Sequence, residues 1–102
     1  MEIITLSGTL LADSEVCTDK NGNYFCRFKV TCKGTDYSGN TKFTVYRCIN
    51  YHTGCEQMKK GDQIFVVGAL NSSIRVDSNG TPHLNNDVLV QQATRGAIYE
   101  KY

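Results

Sequence analysis

The stretch Tyr24-Phe25-Cys26-Arg27-Phe28-Lys29-Val30-Thr31-Cys32-Lys33 decides the fold class. Cys26, Phe28, Val30 and Cys32 fall on one parity; Phe25, Arg27, Lys29, Thr31 and Lys33 fall on the other. Side chains alternate across a strand, so the pattern predicts a strand with one face in a core and one in water. A second strand, from about Thr41 to Ile49, repeats the idea, with Phe43 and Arg47 two pleats apart. The exposed face of this pair is cationic and carries aromatics.

The rest of the chain reads outward from that pair. Ile3–Leu11 alternates loosely and contains Gly8, which predicts a strand with a bend or a close backbone approach at the glycine. Asp13–Cys17 is a short extension or a turn-and-strand piece. Asp19-Lys20-Asn21-Gly22-Asn23 is a turn, with Asn-Gly the strong hairpin signal. Gly34–Asn40 is a polar loop with Tyr37 at its centre. Asn50–Met58 lacks alternation and admits a short helix with Thr53 as N-cap, weakened by Gly54. Lys59-Lys60-Gly61-Asp62 is a turn. Gln63–Leu70 is the most apolar strand, with Ile64, Val66, Gly68 and Leu70 on one face and Phe65, Val67 and Ala69 on the other. Asn71–Val76 continues it as a polar arm, Asp77–Pro82 turns, and a last strand runs from Leu84 or Asp87 to Gln92. Five strands with a short helix between the third and fourth predict an all-β fold, a five-stranded Greek-key OB barrel. An SH3-like barrel is the competitor, but it does not usually place a helix there.

At 102 residues the chain is one domain, with about eight C-terminal residues read as a frayed tail. No apolar run approaches the roughly 20 residues that span a bilayer. No basic segment leads into an apolar one at the N-terminus, so no signal peptide is expected. Five cysteines, an odd count, argue for reduced thiols rather than a disulfide framework. Net charge is only +1, yet residues 24–60 carry seven Lys/Arg against Asp36 and Glu56. A local positive field of that kind steers an anion to one face.

Basic groups beside aromatics on one sheet face suit a polyanion whose bases stack, which is single-stranded nucleic acid. The phosphate set is Arg27, Lys29, Lys33, Lys42, Arg47 and Arg75. The stacking set is Tyr37, Phe43 and Tyr51, with Phe25 beside them; Phe28 and Tyr46 take the core positions. Alone, any one of these cations reads as a solvated side chain, and any one ring as barrel filling. Gln63, Phe65 and Val67 lie on the outer parity of a strand apolar on both faces, so they are expected to be covered by a second copy, with Ile3 and Thr5 joining them. Cys48, His52, Cys55 and His83 have donor chemistry for zinc, but no paired Cys-x2-Cys knuckle exists, so neither metal nor cofactor is expected. His52 near Cys55 lacks an orienting third residue, which argues against an enzyme.

Four segments in order resemble the bacterial single-stranded-DNA-binding protein family over about nine-tenths of the chain. They are Ile4-Thr5-Leu6-Ser7-Gly8-Thr9-Leu10, Asp13-Ser14-Glu15-Val16, Asn21-Gly22 with the alternating strand, and Met58-Lys59-Lys60-Gly61-Asp62-Gln63-Ile64-Phe65-Val66-Val67-Gly68-Ala69-Leu70. The resemblance implies base stacking at Tyr37 and Phe43, a basic contact at Arg47, and a further apolar stacking position at Ile49 with Tyr51 beside it. The family's arm aromatic falls on Arg75, and its usual tryptophans have no counterpart, as the chain contains none. The resemblance further implies sequence-independent binding of single-stranded DNA in replication, recombination or repair, as a homodimer or homotetramer in the cytoplasm, on the nucleoid and away from membranes. Family members usually add a linker and an acidic tail; this sequence ends at Glu100-Lys101-Tyr102. A tail-less cousin, primosomal replication protein N, gives the alternative: an adaptor with weak single-strand binding that docks on replication-restart proteins.

Overall fold

Six strands build one sheet that closes on itself: β1 (Glu2–Leu10), β2 (Glu15–Thr18), β3 (Tyr24–Thr35), β4 (Thr41–Asn50), β5 (Gln63–Val76) and β6 (Pro82–Arg95). The structure is a computed structural model that describes residues 2–52 and 58–95. Strand order is β1-β5-β6-β4-β3-β2, with β1 also pairing β3. Those pairings close a five-stranded barrel of OB type, and β2 lies on β3 as a short sixth strand. Asn50 ends β4, and the helix expected over 50–58 falls mostly on residues 53–57, outside the described residues. The expected C-terminal tail also lies outside them.

The alternation read in the sequence is the one the barrel uses. Cys26, Phe28 and Val30 of β3 are buried, as are Cys48 of β4, Ile64 and Val66 of β5, and Val88 and Val90 of β6. Leu6 and Leu10 of β1 join them, and Tyr46 packs against the cluster as a partly buried residue. Met58 is buried to 2 % and anchors the turn that follows it. The backbone N–H and Oγ of Ser14 both donate to the Met58 carbonyl, at 3.0 and 3.2 Å. Asp13 Oδ1 accepts from the Lys60 N–H at 2.8 Å, and Leu10 donates its N–H to the Asp62 carbonyl and accepts the Gly61 N–H.

Two hairpins extend past the barrel as arms. The β5–β6 hairpin is longer than the sequence suggests, because the Asn71–Val76 segment pairs with Pro82–Asp87 residue for residue. It is also less polar than expected. Ile74 lies opposite Leu84 and Val76 opposite Pro82, and Ile74, Val76 and Leu84 are all exposed. The ladder shifts register between Val67 and Gly68, leaving one extra residue in β6.

Three hairpin turns repeat one device. Asp19, Asp36 and Asp77 each accept, through Oδ1, the N–H groups two and four residues on, at 2.9 Å. Each Asp carbonyl also accepts from the glycine three residues on: Gly22, Gly39 and Gly80. Those glycines sit at φ of 81–82°, the left-handed position that ends such a turn. The shared pattern Asp-x-(Asn/Ser)-Gly-(Asn/Thr) is visible in the sequence. At the third turn His83 Nε2 lies 2.7 Å from Asp77 Oδ2. That hydrogen bond, followed by the Thr81 N–H, holds the Asp77 carboxyl below its usual value.

One bridge runs against the expectation of wholly reduced thiols. Cys26 is disulfide-bonded, whereas Cys17, Cys32 and Cys48 are free. An odd count leaves at least one thiol over; it does not exclude a single bridge.

Gly8 and Gly68 have no room for a side chain. A Cβ on Gly68 would run into the Leu89 carbonyl oxygen and a Val88 methyl, and one on Gly8 into the Thr31 carbonyl oxygen and a Val30 methyl. Gly68→Ala is therefore expected to lose about 1–3 kcal/mol in urea unfolding. Gly34→Ala, where the nearest atom to a new Cβ is 3.9 Å away, should lose clearly less.

Candidate nucleic-acid interface

The outer face of β3 and β4 sets cations and rings side by side because the two strands pair in antiparallel register. Lys33 lies opposite Phe43, Thr31 opposite Val45, Lys29 opposite Arg47, and Arg27 opposite Ile49. Beyond them Phe25 meets Tyr51, with ring centroids 5.2 Å apart and planes tilted by 36°. Phe43 is 63 % exposed and Tyr51 52 %, so neither fills the barrel. From Phe43 to Tyr51 the strand advances about 27 Å at ~3.4 Å per residue. Tyr37 stands fully exposed at the arm tip, inside the Asp36 turn.

Not all predicted cations join this face. Lys42 has the opposite parity to Phe43 and lies across from Gly34, on the other side of the arm. Arg75 sits on the second arm, opposite His83. Because β4 and β6 pair in parallel at Arg47–Ile49 against Asp87–Leu89, both arms leave the barrel at the same end. Tyr37 and Arg75 thus belong to two projections beyond one cationic face.

Two carboxylates that sequence reasoning did not single out occupy that face. Asp87 takes Arg47 in a forked pair, Nε to Oδ1 at 2.6 Å and Nη2 to Oδ2 at 2.9 Å. Glu15 Oε2 accepts from Arg27 Nε at 2.9 Å. Each hydrogen bond raises the pKa of its guanidinium further. Lys29, which lies across from Arg47, and Lys33, across from Phe43, make no ion pair among the described residues. A groove of about 660 Å³ runs between Ala12, Glu15, Arg27, Lys29, Arg47 and Asp87. A second, apolar groove of about 420 Å³ adjoins it, lined by Ile49, Ala69, Leu70, Val88 and Leu89, with Asn71 and Asp87 at its polar side. Leu89 and Ala69 are the residues missed here. Their signal was cross-strand: each lies on the outer parity of a strand whose partner also carries an apolar residue.

The other expected surface is also contiguous. Ile3 pairs with Ala69, Thr5 with Val67 and Thr9 with Gln63, which places Ile3, Thr5, Val67, Phe65 and Gln63 on one outer face of β1 and β5. Ile3 and Phe65 are exposed there. Among the described residues no cluster of three His, Cys, Asp or Glu side chains could hold a metal ion. Cys48 lies in the core, His83 is engaged by Asp77, and Cys55 is outside the described residues. No helix among the described residues is long and apolar enough to cross a membrane.

Residues 1–95 match the model of the Single-strand binding protein family. The chain belongs to that family. Its members are non-enzymatic DNA binders. A solved structure of the Plasmodium falciparum SSB in complex with ssDNA superposes with a TM-score of 0.71 at 14 % identity, covering 95 % of this chain and 96 % of that one. At that identity the likeness speaks for the barrel and its connections. No curated protein matches the chain in sequence.

Of the free thiols, Cys48 is buried in the core behind this face. Burial, with a smaller contribution from Cys32, pushes the Cys48 thiol up to about 12. Nucleophilic attack needs the thiolate. Iodoacetamide at pH 8 should therefore leave Cys48 unmodified in the native protein and alkylate it after unfolding in denaturant, as peptide mass spectrometry would show.

Proposed function

We propose that this chain binds single-stranded DNA without sequence preference, by stacking bases on Phe43 and the Phe25–Tyr51 pair while Lys29, Lys33 and Arg47 take phosphates. The observation that carries this reading is the outer face of β3–β4, where exposed rings and cations alternate over a scaffold whose inner residues Cys26, Phe28, Val30 and Cys48 are buried in the core. Stacking uses the π-face common to every base, and Lys or Arg contacts to phosphate read no base edge. The groove along Ile49 and Leu89 offers an apolar seat for a further base beside Arg47. Membership of the family supports the same reading. Such a protein would coat exposed strands during replication, recombination or repair.

Titration of labelled oligo-dT at several salt concentrations tests this directly. Lys29 and Lys33 should each contribute about −0.7 to the slope of log affinity against log salt, and Arg47, which must first leave Asp87, less than that, giving a slope between about −1.4 and −2. Phe43→Ala should lose about 1–3 kcal/mol of binding. Lys29→Ala should flatten the slope by about 0.7, and Lys42→Ala, on the other side of the arm, should affect it less. Failure to bind at low salt, or equal affinity for duplex, sinks the reading.

The outer face of β1 and β5 supports self-association. Ile3 and Phe65 are exposed within a contiguous surface that also holds Thr5, Val67 and Gln63. A second copy covering that face removes apolar area from water at about 25 cal/mol per Å². Sedimentation equilibrium should give a dimer or tetramer for the native chain, and Phe65→Arg should shift the mass toward one chain. A single-chain mass for the native protein at high concentration excludes this surface as an interface.

A further inference from the structure

We infer that Asp87 is a resident counter-ion for Arg47, a carboxylate that a DNA phosphate must displace. It thereby restrains affinity and flattens its salt dependence. This rests on the single-strand-binding reading above.

The geometry of the pair is the starting point. Arg47 presents its Nε and Nη2 edge to both oxygens of Asp87, at 2.6 and 2.9 Å, which is the fork a phosphate would otherwise occupy. The pair is fixed by backbone as well as side chain, since Arg47 and Asp87 are direct partners in the parallel β4–β6 ladder. Its position is central. Arg47 faces Lys29 across β3–β4, and Asp87 borders both grooves. The pair is also accessible, with the Arg47 side chain 49 % and the Asp87 side chain 38 % exposed. An exposed ion pair is worth little in water, so exchange for a phosphate is energetically open. Glu15 holds Arg27 on the far side of Lys29 in the same manner, which makes the arrangement a repeated one on this face.

The consequence follows from counterion release. A free arginine that neutralises a phosphate liberates a cation from the strand at no electrostatic loss. A paired arginine must first part from its carboxylate, and the freed carboxylate then lies next to the incoming phosphates. Asp87 thus lowers affinity most where screening is weakest, at low salt.

The test compares Asp87→Asn with the native chain in oligo-dT titrations from low to high salt. The variant should bind about two- to fivefold more tightly at low salt, with the gain shrinking as salt rises. Its log–log slope should steepen by up to about 0.7. Asp19→Asn makes the same charge change in a distant turn while keeping an oxygen for the turn N–H groups, and it should leave both readouts near native. Asp87→Ala, which removes the hydrogen-bonding amide as well, should reproduce the gain. Circular dichroism melts confirm that each variant is folded. Equal or weaker binding by both Asp87 variants, with native binding intact, overturns the inference and makes Asp87 a residue that positions Arg47. An equal gain from Asp19→Asn overturns it in favour of net charge. A native chain that does not bind oligo-dT at all defeats the underlying reading instead.

Discussion

Three residues of parallel pairing, Arg47-Cys48-Ile49 against Asp87-Val88-Leu89, join the two hairpins and complete the barrel. Without them the sheet stays open, with β3–β4 and β5–β6 joined only through β1, which pairs β5 along its length and β3 at Thr9 and Leu10. The seam works on both faces at once. Cys48 and Val88 point inward and are buried to about 1 % exposure. Arg47, Asp87, Ile49 and Leu89 point outward, giving one ion pair and one apolar contact row. The same three positions therefore hold the core together, set the direction of both arms and build the middle of the proposed binding face.

Much of this was legible because a strand's period is short and strict. The run from Cys26 to Cys32 assigns its own faces, and Phe43 inherits an outward orientation from Cys48 by parity alone. Gly8 was readable as a close-approach site, since a glycine inside an apolar strand has few other reasons to be there. The barrel topology came from element order and from family spacing around Met58-Lys59-Lys60-Gly61-Asp62, a turn now seen to be tied to β1 and to Asp13 and Ser14.

What was not legible lies mostly between strands that are distant in sequence. Arg47 and Asp87 are 40 residues apart, and nothing local in either segment announces the other. A positive stretch therefore looked like a set of free cations, when two of its arginines are held by carboxylates from neighbouring strands. The segment after Leu70 looked polar because Ser72, Ser73 and Arg75 dominate its composition. Ile74 and Val76 gain meaning only when Leu84 and Pro82 are placed opposite them. Lys42 was grouped with Phe43 by proximity, yet adjacent strand residues face opposite ways. By contrast, the three Asp-x-x-Gly turns were fully local and could have been predicted as one repeated unit.

A chain of net charge +1 can engage a polyanion because binding depends on the field at one surface. Here that field is built from few free charges: among the described residues Lys29 and Lys33 stand without carboxylates, while Arg27 and Arg47 are each matched. The rings have no such matching. Phe43 stands exposed, and Tyr51 already rests on Phe25. Stacking is less sensitive to salt than phosphate contact is, so a face of this composition shifts its balance of interactions toward the bases. A strand that is paired has its bases stacked inside a duplex and offers them to no ring. In the proposed reading, preference for single strands follows from where the rings stand, with the cations adding attraction that either form of DNA would feel.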